Sequence, residues 1–600
     1  MTHSRWFLSL LILGTACAPT STFTYQPSAD VLQPAPESAS GYVEKPGWTT
    51  KRFAVAAANP LATDAGYQII RAGGNAIDAA VAVQMVLALV EPQSSGLGGG
   101  AFLLYSSKNG VEAYDGRETA PAAADENLFM GADGKPMSFN TAVVGGRSVG
   151  TPGAIKMLEL AHKERGKLPW ATLFQPAIQL AERGFPVSPR LHTLLKGETE
   201  LKKDSVASAY FYQANGEPWP VGHILKNPEL AKVLRQVASQ GSPAFYEGEV
   251  ARAIVQKVQS HPTNPGKLSL ADLSAYKPIK REALCHHYEA RNQDYRICGF
   301  PPPSSGGIAV GQILGILSKT NAGSLPLENG LPSAQWLHLY TEASRLAFAD
   351  RAQYVADPAF VSPPVGRWDS LLDDSYLQRR AELIGDTVMK DVQPGVPEGA
   401  KTAFGKMAEQ IEYGTSHISI VDPEGNAVAM TTTIEAGFGS RQMVKGFLLN
   451  NELTDFSFAP SDAQGRPIAN RVQPGKRPRS SMAPTLVFDN QGKIMISAGS
   501  PGGALIIHYT AKTLYGALNW GLTPQQAVTL PNFAATGAPT QLEEKRFPAA
   551  TIEDLKARGH DVREVTMTSG LQAIMRGSVD GQPVWLGGAD PRREGIVKGD

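Results

Sequence analysis

The residues whose chemistry stands out are Gly414 and Thr415, within the run IEYGTSHISIVD at 411–422. A threonine can attack the carbonyl of the residue before it, and when that peptide bond breaks the threonine becomes an N-terminus. Its freed amine can then act as general base for its own hydroxyl, which activates a weak nucleophile. An α-amine titrates at about 7.7–8.0, near the pH where a general base works best. Gly414 has no Cβ, so it can adopt the backbone angles that a strained scissile bond requires.

The apolar pattern around this pair predicts a mixed α/β fold that would hold it at the start of a strand. A helix at 75–90 has almost no polar face, so we expect it to be buried between layers. A polar segment at 390–412 resembles a linker. The other predicted elements are strands at 53–57, 101–105, 111–114, 417–421, 427–433, 447–449, 485–488 and 494–498, and helices at 61–71, over most of 152–260 and at 334–357.

Composition narrows the function classes. The 600 residues carry 56 Lys plus Arg and 56 Asp plus Glu. Because the charge is balanced and no basic run is present, a nucleic-acid partner is not expected. The chain is long enough for a large core, and its composition is that of a globular protein.

The first residues have the pattern of an export signal. His3 and Arg5 precede the apolar run Trp6–Leu13, and small residues follow at 14–18. Two alternatives stay open: cleavage at the A-x-A site that ends at Ala18, or lipidation of Cys17 as the first residue of a bacterial lipoprotein. We therefore predict a signal at 1–18 and, because Pro, Ser, Ala and Thr are frequent there, a flexible tether at 19–49. The expected location is the bacterial periplasm, or a lipid anchor on the membrane facing it.

Two further cysteines, Cys285 and Cys298, flank a predicted hairpin. An exported protein can form disulfides, so a bridge and a pair of free thiols both remain possible. The Cys-His-His run at 285–287 lacks a second ligand pair at zinc spacing, so we expect no metal there.

Nine segments, taken in order, resemble the γ-glutamyltranspeptidase family of N-terminal-nucleophile hydrolases. They are GGNAIDAAVAVQ at 73–84, GLGGGAF at 96–102, DGRETAP at 115–121, GTPGA at 150–154, FPPPSSGGI at 300–308, GTSHISIVD at 414–422, LLNNELTDFS at 448–457, KRPRSSMAPT at 476–485 and GSPGGA at 499–504. The resemblance implies an α/β (α+β) fold, a four-layer αββα sandwich. It also implies cleavage into a large subunit, 50–414, and a small catalytic subunit, 415–600, which together form one intertwined domain. No metal or organic cofactor is implied.

The resemblance also assigns catalytic roles. Thr415 matches the nucleophile, and Thr433 matches a second threonine that supports it. Gly502 and Gly503 match the oxyanion hole, which needs backbone N–H groups aimed at developing charge and no side chain in the way.

Substrate-binding roles follow in the same way. Arg117 matches the arginine that holds the substrate α-carboxylate, which a planar guanidinium can bind through two hydrogen bonds. Ser480 and Ser481 match hydroxyls that complete the carboxylate site. Glu452 and Asp455 match the acceptors for the α-ammonium group.

Two departures from the family pattern leave the exact donor and acceptor open. Glu435 stands where well-studied members carry an asparagine near the substrate amine. The segment between Ser457 and Lys476 is shorter than the family's lid and lacks its tyrosine.

The resemblance therefore predicts an exported γ-glutamyltransferase or glutathione hydrolase that cuts itself at Gly414-Thr415. Thr415 would then pass the γ-glutamyl group of glutathione or a similar compound to water or to an amino acid or peptide amine. Two alternatives stay open. One is a related acylase acting on a glutaryl-β-lactam or on poly-γ-glutamate, and the other is a non-catalytic binding lipoprotein of the same fold.

Overall fold

The computed structural model describes residues 41–600 except Thr402, Ile411 and Tyr413. The predicted signal at 1–18, the lipidation candidate Cys17 and most of the predicted tether lie outside the described residues. Residues 41–47 have no regular structure, and the first strand begins at Trp48. The last two residues of the predicted tether are therefore part of a sheet, because they pair with a strand from the far end of the chain.

The elements are numbered in chain order. The strands are β1 (Trp48–Thr50), β2 (Ala54–Ala57), β3 (Gly100–Ser107), β4 (Gly110–Gly116), β5 (Phe185–Pro186), β6 (Ile224–Leu225), β7 (Ile279–Glu282), β8 (Leu284–Ala290), β9 (Gln293–Gly299), β10 (Ser416–Val421), β11 (Ala427–Thr433), β12 (Met443–Val444), β13 (Phe447–Leu448), β14 (Thr485–Phe488), β15 (Ile494–Gly499), β16 (Phe533–Ala534), β17 (Pro539–Glu543), β18 (Asp561–Val565), β19 (Gln572–Val579), β20 (Gln582–Ala589) and β21 (Ile596–Gly599). The helices are α1 (Pro60–Arg71), α2 (Ala76–Val90), α3 (Phe139–Val143), α4 (Ala154–Arg165), α5 (Trp170–Leu173), α6 (Gln175–Arg183), α7 (Pro189–Gly197), α8 (Ser205–Phe211), α9 (Pro228–Gln240), α10 (Pro243–Tyr246), α11 (Gly248–Gln259), α12 (Leu270–Ala275), α13 (Gly306–Ser318), α14 (Ala334–Tyr354), α15 (Asp374–Ala381), α16 (Ile506–Leu518), α17 (Pro524–Thr529) and α18 (Ala549–Ala557). Short 3-10 turns lie at 146–148, 201–203, 321–324, 364–366, 368–372, 452–455 and 503–505.

Two antiparallel sheets of seven strands each form the centre of the molecule. One has the order β1-β20-β19-β15-β14-β9-β8, and the other has the order β21-β2-β10-β11-β3-β4-β7. In the second sheet β10 and β11, which follow Thr415 in the chain, lie between β2 and β3, which precede it. Segments from either side of Thr415 therefore share one sheet.

Side chains that alternate between the two faces of a strand join the sheets and helices into layers. On β2, Val55 and Ala57 pack with the apolar residues of α1 and α2, whereas Ala54 and Ala56 face the other way and pack with residues of the first sheet. Since side chains alternate between the faces of a strand, these two clusters lie on opposite faces of the second sheet. Helices α13 and α16 cover the outer face of the first sheet. The predicted αββα sandwich is confirmed.

Helix α2 is the buried helix that the sequence predicts. Each of its residues from Ala76 to Val90 is buried, including Asp78 and Gln84. Its start is fixed by a capping box, in which the Asn75 side chain accepts from the Asp78 N–H and the Asp78 carboxylate accepts from the Asn75 N–H. The helix packs directly on β10 and β11. It therefore supports the strand that follows Thr415 and the strand that ends at Thr433.

Cys285 on β8 lies opposite Cys298 on β9, and the structure joins their sulfurs in a disulfide. Within the described ranges no three His, Cys, Asp or Glu side chains converge as a metal site would require. In the same part of the chain, every helix is too short or too polar to cross a bilayer.

Candidate active site

Thr415 lies immediately before β10, in the middle of the second sheet. Its neighbour β11 ends at Thr433, and the Thr415 hydroxyl donates to the Thr433 hydroxyl across 3.4 Å. Both threonines are only 2% exposed. The Thr433 hydroxyl also accepts the backbone N–H of Glu435 at 2.8 Å, which fixes the supporting oxygen beside the predicted nucleophile.

The backbone has positive φ angles on both sides of the bond between Gly414 and Thr415 and is strained at Thr415. Gly414 has φ 52° and Thr415 has φ 149°, an angle that a side chain with a Cβ rarely adopts. Residues held in such regions cost on the order of 1–3 kcal/mol and occur mainly at functional sites. A Cβ on Gly414 would lie 1.7 Å from the carbonyl oxygen of Glu435, so only glycine fits there.

Gly502 and Gly503 form the turn between β15 and the helical run that leads into α16. Their φ angles are 132° and 57°, and a Cβ on Gly502 would come within 2.7 Å of the Tyr509 ring. The two backbone N–H groups therefore stand at the N-terminal end of a helix, where the macrodipole favours negative charge.

Arg117 is fully buried and is the cation of a carboxylate cluster. Its guanidinium donates to the side chains of Glu452 and Asp455, and to the carbonyls of Pro478 at 3.1 Å and Arg479 at 2.8 Å. Burial raises the pKa values of the Glu452 and Asp455 carboxyls, although Arg117 opposes the shift. In the uncut chain Arg117 is therefore ion-paired with Glu452 and Asp455. The sequence predicts that Arg117 binds the carboxylate of the substrate and that the two acids bind its amine.

Glu435, Ser480 and Ser481 lie beside this cluster. The Glu435 carboxylate accepts from the Asn451 side-chain amide, and the Ser480 hydroxyl accepts the N–H of Met482 at 3.1 Å. The Ser481 hydroxyl has a different environment, because it accepts from Arg351 at 2.6 Å and donates to Glu412.

One pocket brings these predicted side chains together. Nine of the predicted residues line it: Arg117, Thr415, Thr433, Glu435, Glu452, Asp455, Ser480, Ser481 and Gly503. Gly414 and Gly502 are the chain neighbours of two of them. The free space is about 10 Å³, which is room for one water molecule at most.

Sequence reasoning missed Glu412, which lines this pocket, and the two arginines that contact it, Arg351 and Arg479. Glu412 belongs to a segment predicted as a polar linker, and Arg351 lies within the long helix α14. No local pattern marks either residue. Arg479 could have been found, because it stands directly before the predicted serine pair.

Comparisons with known proteins identify the family of the chain and agree with its fold. The model of the Gamma-glutamyltranspeptidase family matches residues 62–599. The chain is 36% identical over 577 residues to a glutathione hydrolase proenzyme of Escherichia coli (strain K12), covering 94% of this chain and 95% of that protein. It is 34% identical over 571 residues to the Acylase ACY 1 proenzyme of Pseudomonas sp. (strain V22), covering 93% and 96%. The crystal structure of a cephalosporin acylase from Bacillus halodurans matches with a TM-score of 0.80 at 28% identity, covering 93% and 97%.

An αββα sandwich with a threonine at the head of a central strand defines the N-terminal-nucleophile hydrolase class. Within that class, the chain belongs to the gamma-glutamyltranspeptidase family and is an enzyme of that family's type.

Proposed function

We propose that the protein is a γ-glutamyltransferase and glutathione hydrolase that activates itself by cutting the Gly414-Thr415 bond. The observation that carries the proposal is the geometry of this bond. The Thr415 hydroxyl is held by Thr433, the Thr415 φ is strained, and Gly414 has no space for a side chain. Relatives that are named as proenzymes support the cleavage.

Cleavage would begin when the Thr415 oxygen attacks the carbonyl carbon of Gly414. The C–N bond breaks, the nitrogen of Thr415 takes up a proton, and an ester joins the two residues. Water then hydrolyses the ester, which leaves a carboxylate on Gly414 and a free amine on Thr415. Relief of the backbone strain at Thr415 favours this direction.

Turnover would reuse the same oxygen. The Thr415 amine takes the hydroxyl proton, the oxygen attacks the γ-carbonyl of the donor, and the amine returns the proton to the departing amine. The N–H groups of Gly502 and Gly503 stabilise the negative charge that develops on the carbonyl oxygen. Water or an acceptor amine then removes the γ-glutamyl group from Thr415.

The acidic side of the pocket favours a donor that carries an amine. Glu435, Glu452 and Asp455 line one pocket, and Arg117 brings a single positive charge to these three carboxylates, so a second cation would be stabilised there. The α-ammonium of a γ-glutamyl group provides one, whereas a glutaryl group does not. Arg117, Ser480 and Ser481, which line the same pocket, would bind the α-carboxylate.

The second candidate function is that of an acylase for glutaryl compounds, which the similarity to two acylases favours. Processed protein should cleave γ-glutamyl anilide far faster than glutaryl anilide if the acidic side binds an amine. Equal rates on the two anilides would make the acylase the better proposal.

Self-cleavage is tested on the purified protein. We expect two chains on a denaturing gel, with the smaller beginning Thr-Ser-His. Thr415→Ala should stay whole and inactive, while Thr415→Ser keeps a hydroxyl and should still be cut. Normal cutting of Thr415→Ala would contradict the mechanism.

We also propose that the protein is exported from a bacterial cell, with residues 1–18 as the signal and with cleavage after Ala18 or lipidation of Cys17 as the two outcomes. The charged start, apolar run and small residues at 14–18 support this. Intact-mass measurement of the mature protein separates the two, since lipidation adds the mass of acyl chains to Cys17.

A further inference from the structure

Glu412 places a carboxylate inside the pocket, two residues before the Gly414-Thr415 bond. The carboxylate accepts from the guanidinium of Arg351 and the hydroxyl of Ser481, and it lies 3.9 Å from the guanidinium of Arg479. The side chain is only 8% exposed. Burial alone would raise the pKa of the Glu412 carboxyl, but Arg351 and Arg479 hold it below its usual value.

The two arginines form a buried pair of like charges beside Ser481. Arg351 extends from α14 and also donates to the Ser305 hydroxyl at 2.8 Å. Arg479 is 4% exposed, and among the described residues its Nε has no hydrogen-bond partner. Burial and the neighbouring Arg351 lower the pKa of the Arg479 guanidinium, so an anion beside it is strongly favoured.

Glu412 cannot remain in place when a substrate binds. The pocket has about 10 Å³ of free space, too little for an acyl donor. Once the Gly414-Thr415 bond is cut, Glu412 lies two residues from a new chain end and can leave. Its departure would leave the Arg351 and Arg479 guanidinium groups and the Ser481 hydroxyl without this anion, and Ser481 lines the same pocket as Thr415.

We propose that Arg351, Arg479 and Ser481 form one anion subsite with two successive occupants, the Glu412 carboxylate before cleavage and the α-carboxylate of the γ-glutamyl donor after it. The inference rests on the proposed function and adds Arg351 and Arg479 as residues that determine donor specificity. Arg117 would contact the same carboxylate, but it also donates to Glu452, Asp455 and two carbonyls, so Arg351 and Arg479 add positive charge that Arg117 alone does not supply.

The test compares two donors that differ only in the α-carboxylate, γ-glutamyl anilide and 4-aminobutanoyl anilide. In wild-type processed protein the ratio of kcat/KM should strongly favour γ-glutamyl anilide. Arg479→Met should lower that ratio on the order of ten-fold, because a charge-assisted contact is lost with one donor only. Arg479→Lys keeps the cation and should restore most of the ratio.

Arg477→Met is the matched control. Arg477 is similarly buried and lies two residues away, but its guanidinium contacts Asp115 and the Lys277 carbonyl instead of Glu412. It should leave the ratio unchanged.

An unchanged ratio in Arg479→Met would overturn the proposal. If Arg479→Met is not cut, the same ratio is measured on Arg479→Gln, which keeps a polar side chain. A lowered ratio again supports the proposal, and an unchanged ratio overturns it. A wild-type protein that is inactive on γ-glutamyl anilide would instead contradict the proposed function, so the two failures are distinguishable.

Discussion

The Thr433 hydroxyl is the contact that orients the hydroxyl of Thr415, the predicted nucleophile. At 3.4 Å the hydrogen bond is long for two hydroxyls, so Thr433 orients the nucleophile without holding it tightly. Thr433→Ala removes this partner and also the acceptor of the Glu435 N–H. We expect both self-cleavage and turnover to slow by roughly ten- to a hundred-fold, because nucleophiles depend on positioned neighbours.

A time course of cutting on gels and the kcat/KM of the processed protein measure these two effects. Thr433→Ser keeps the hydroxyl and should retain most of both. The adjacent Thr432→Ala is the matched control, since that hydroxyl donates to the Gly100 carbonyl. Wild-type cutting and turnover in Thr433→Ala would remove Thr433 from the mechanism.

Arg117 illustrates how burial changes an expectation drawn from sequence. The sequence predicts that Arg117→Ala loses on the order of ten- to a hundred-fold in kcat/KM while cutting continues. The structure adds a cost to stability, because the substitution leaves Glu452 and Asp455 buried without their cation. Removing one partner of a buried ion pair typically costs about 3–5 kcal/mol.

We therefore expect Arg117→Ala to lower the unfolding midpoint in urea as well as the activity. The free energy of unfolding is compared in the Thr415→Ala background, where the chain is expected to stay whole. Arg281→Ala serves as a control for a less buried ion pair. It removes a partner of Asp115 at the edge of the second sheet. An unchanged midpoint in Arg117→Ala would show that the two acids need no cation.

At the scale of elements, the segment before Thr415 is anchored through Glu412. Its contacts with Arg351 and Ser481 hold the chain close to the bond that is to be cut. Glu412→Gln keeps the shape but loses the charge, so we expect self-cleavage to slow several-fold as the bond spends less time in position. The rate is measured by following the uncut band after synthesis.

Glu409→Gln is the matched control for this prediction. Glu409 lies on the same segment, but its carboxylate accepts from Thr536 outside the pocket. Equal cutting rates in Glu412→Gln and Glu409→Gln would mean that the anchor does not assist the reaction.

The same segment marks the limit of prediction from sequence. Helix α2 and strands β10 and β11 could be predicted, because a continuous apolar run and alternation each leave a local pattern. The segment at 390–412 is polar and has no period, so nothing local distinguishes a linker from a chain that buries Glu412. The contact with Arg351 joins residues 61 positions apart, and only the folded sheets bring them together.

For the whole molecule, the interleaving of strands explains how a cut chain can stay folded. β10 and β11 are hydrogen-bonded between β2 and β3, and β21 pairs with β2 at the edge of the same sheet. Separation of the two proposed subunits would therefore break three strand pairings in this sheet and two in the other, β1 with β20 and β9 with β14, and would expose both core clusters. The proposed cleavage can relieve local strain at Thr415 without weakening the layers, because no strand contains the bond itself.

Neutral buried histidines make the stability of the whole molecule sensitive to acid. His508 on α16 is fully buried and stacks on Phe348 with ring centroids 5.1 Å apart, and burial lowers its pKa to about 3. An unfolded histidine titrates at about 6.5. Between these values the unfolded chain binds a proton that the folded chain does not, so the free energy of unfolding falls as the pH drops from about 6.5 towards 3. Below that range no further loss arises from this residue.

His508→Phe removes the side chain that binds this proton in the unfolded state and keeps an aromatic ring against Phe348. Between pH 7 and pH 5, one such histidine accounts for about 2 kcal/mol of lost stability. Between pH 7 and pH 5 the free energy of unfolding of the variant should therefore fall by about 2 kcal/mol less than that of its parent, whatever the stability of the variant at pH 7. Urea titrations of the Thr415→Ala chain with and without His508→Phe, at both pH values, measure the difference. Equal losses in the two proteins would mean that His508 binds a proton in the folded state as readily as in the unfolded one.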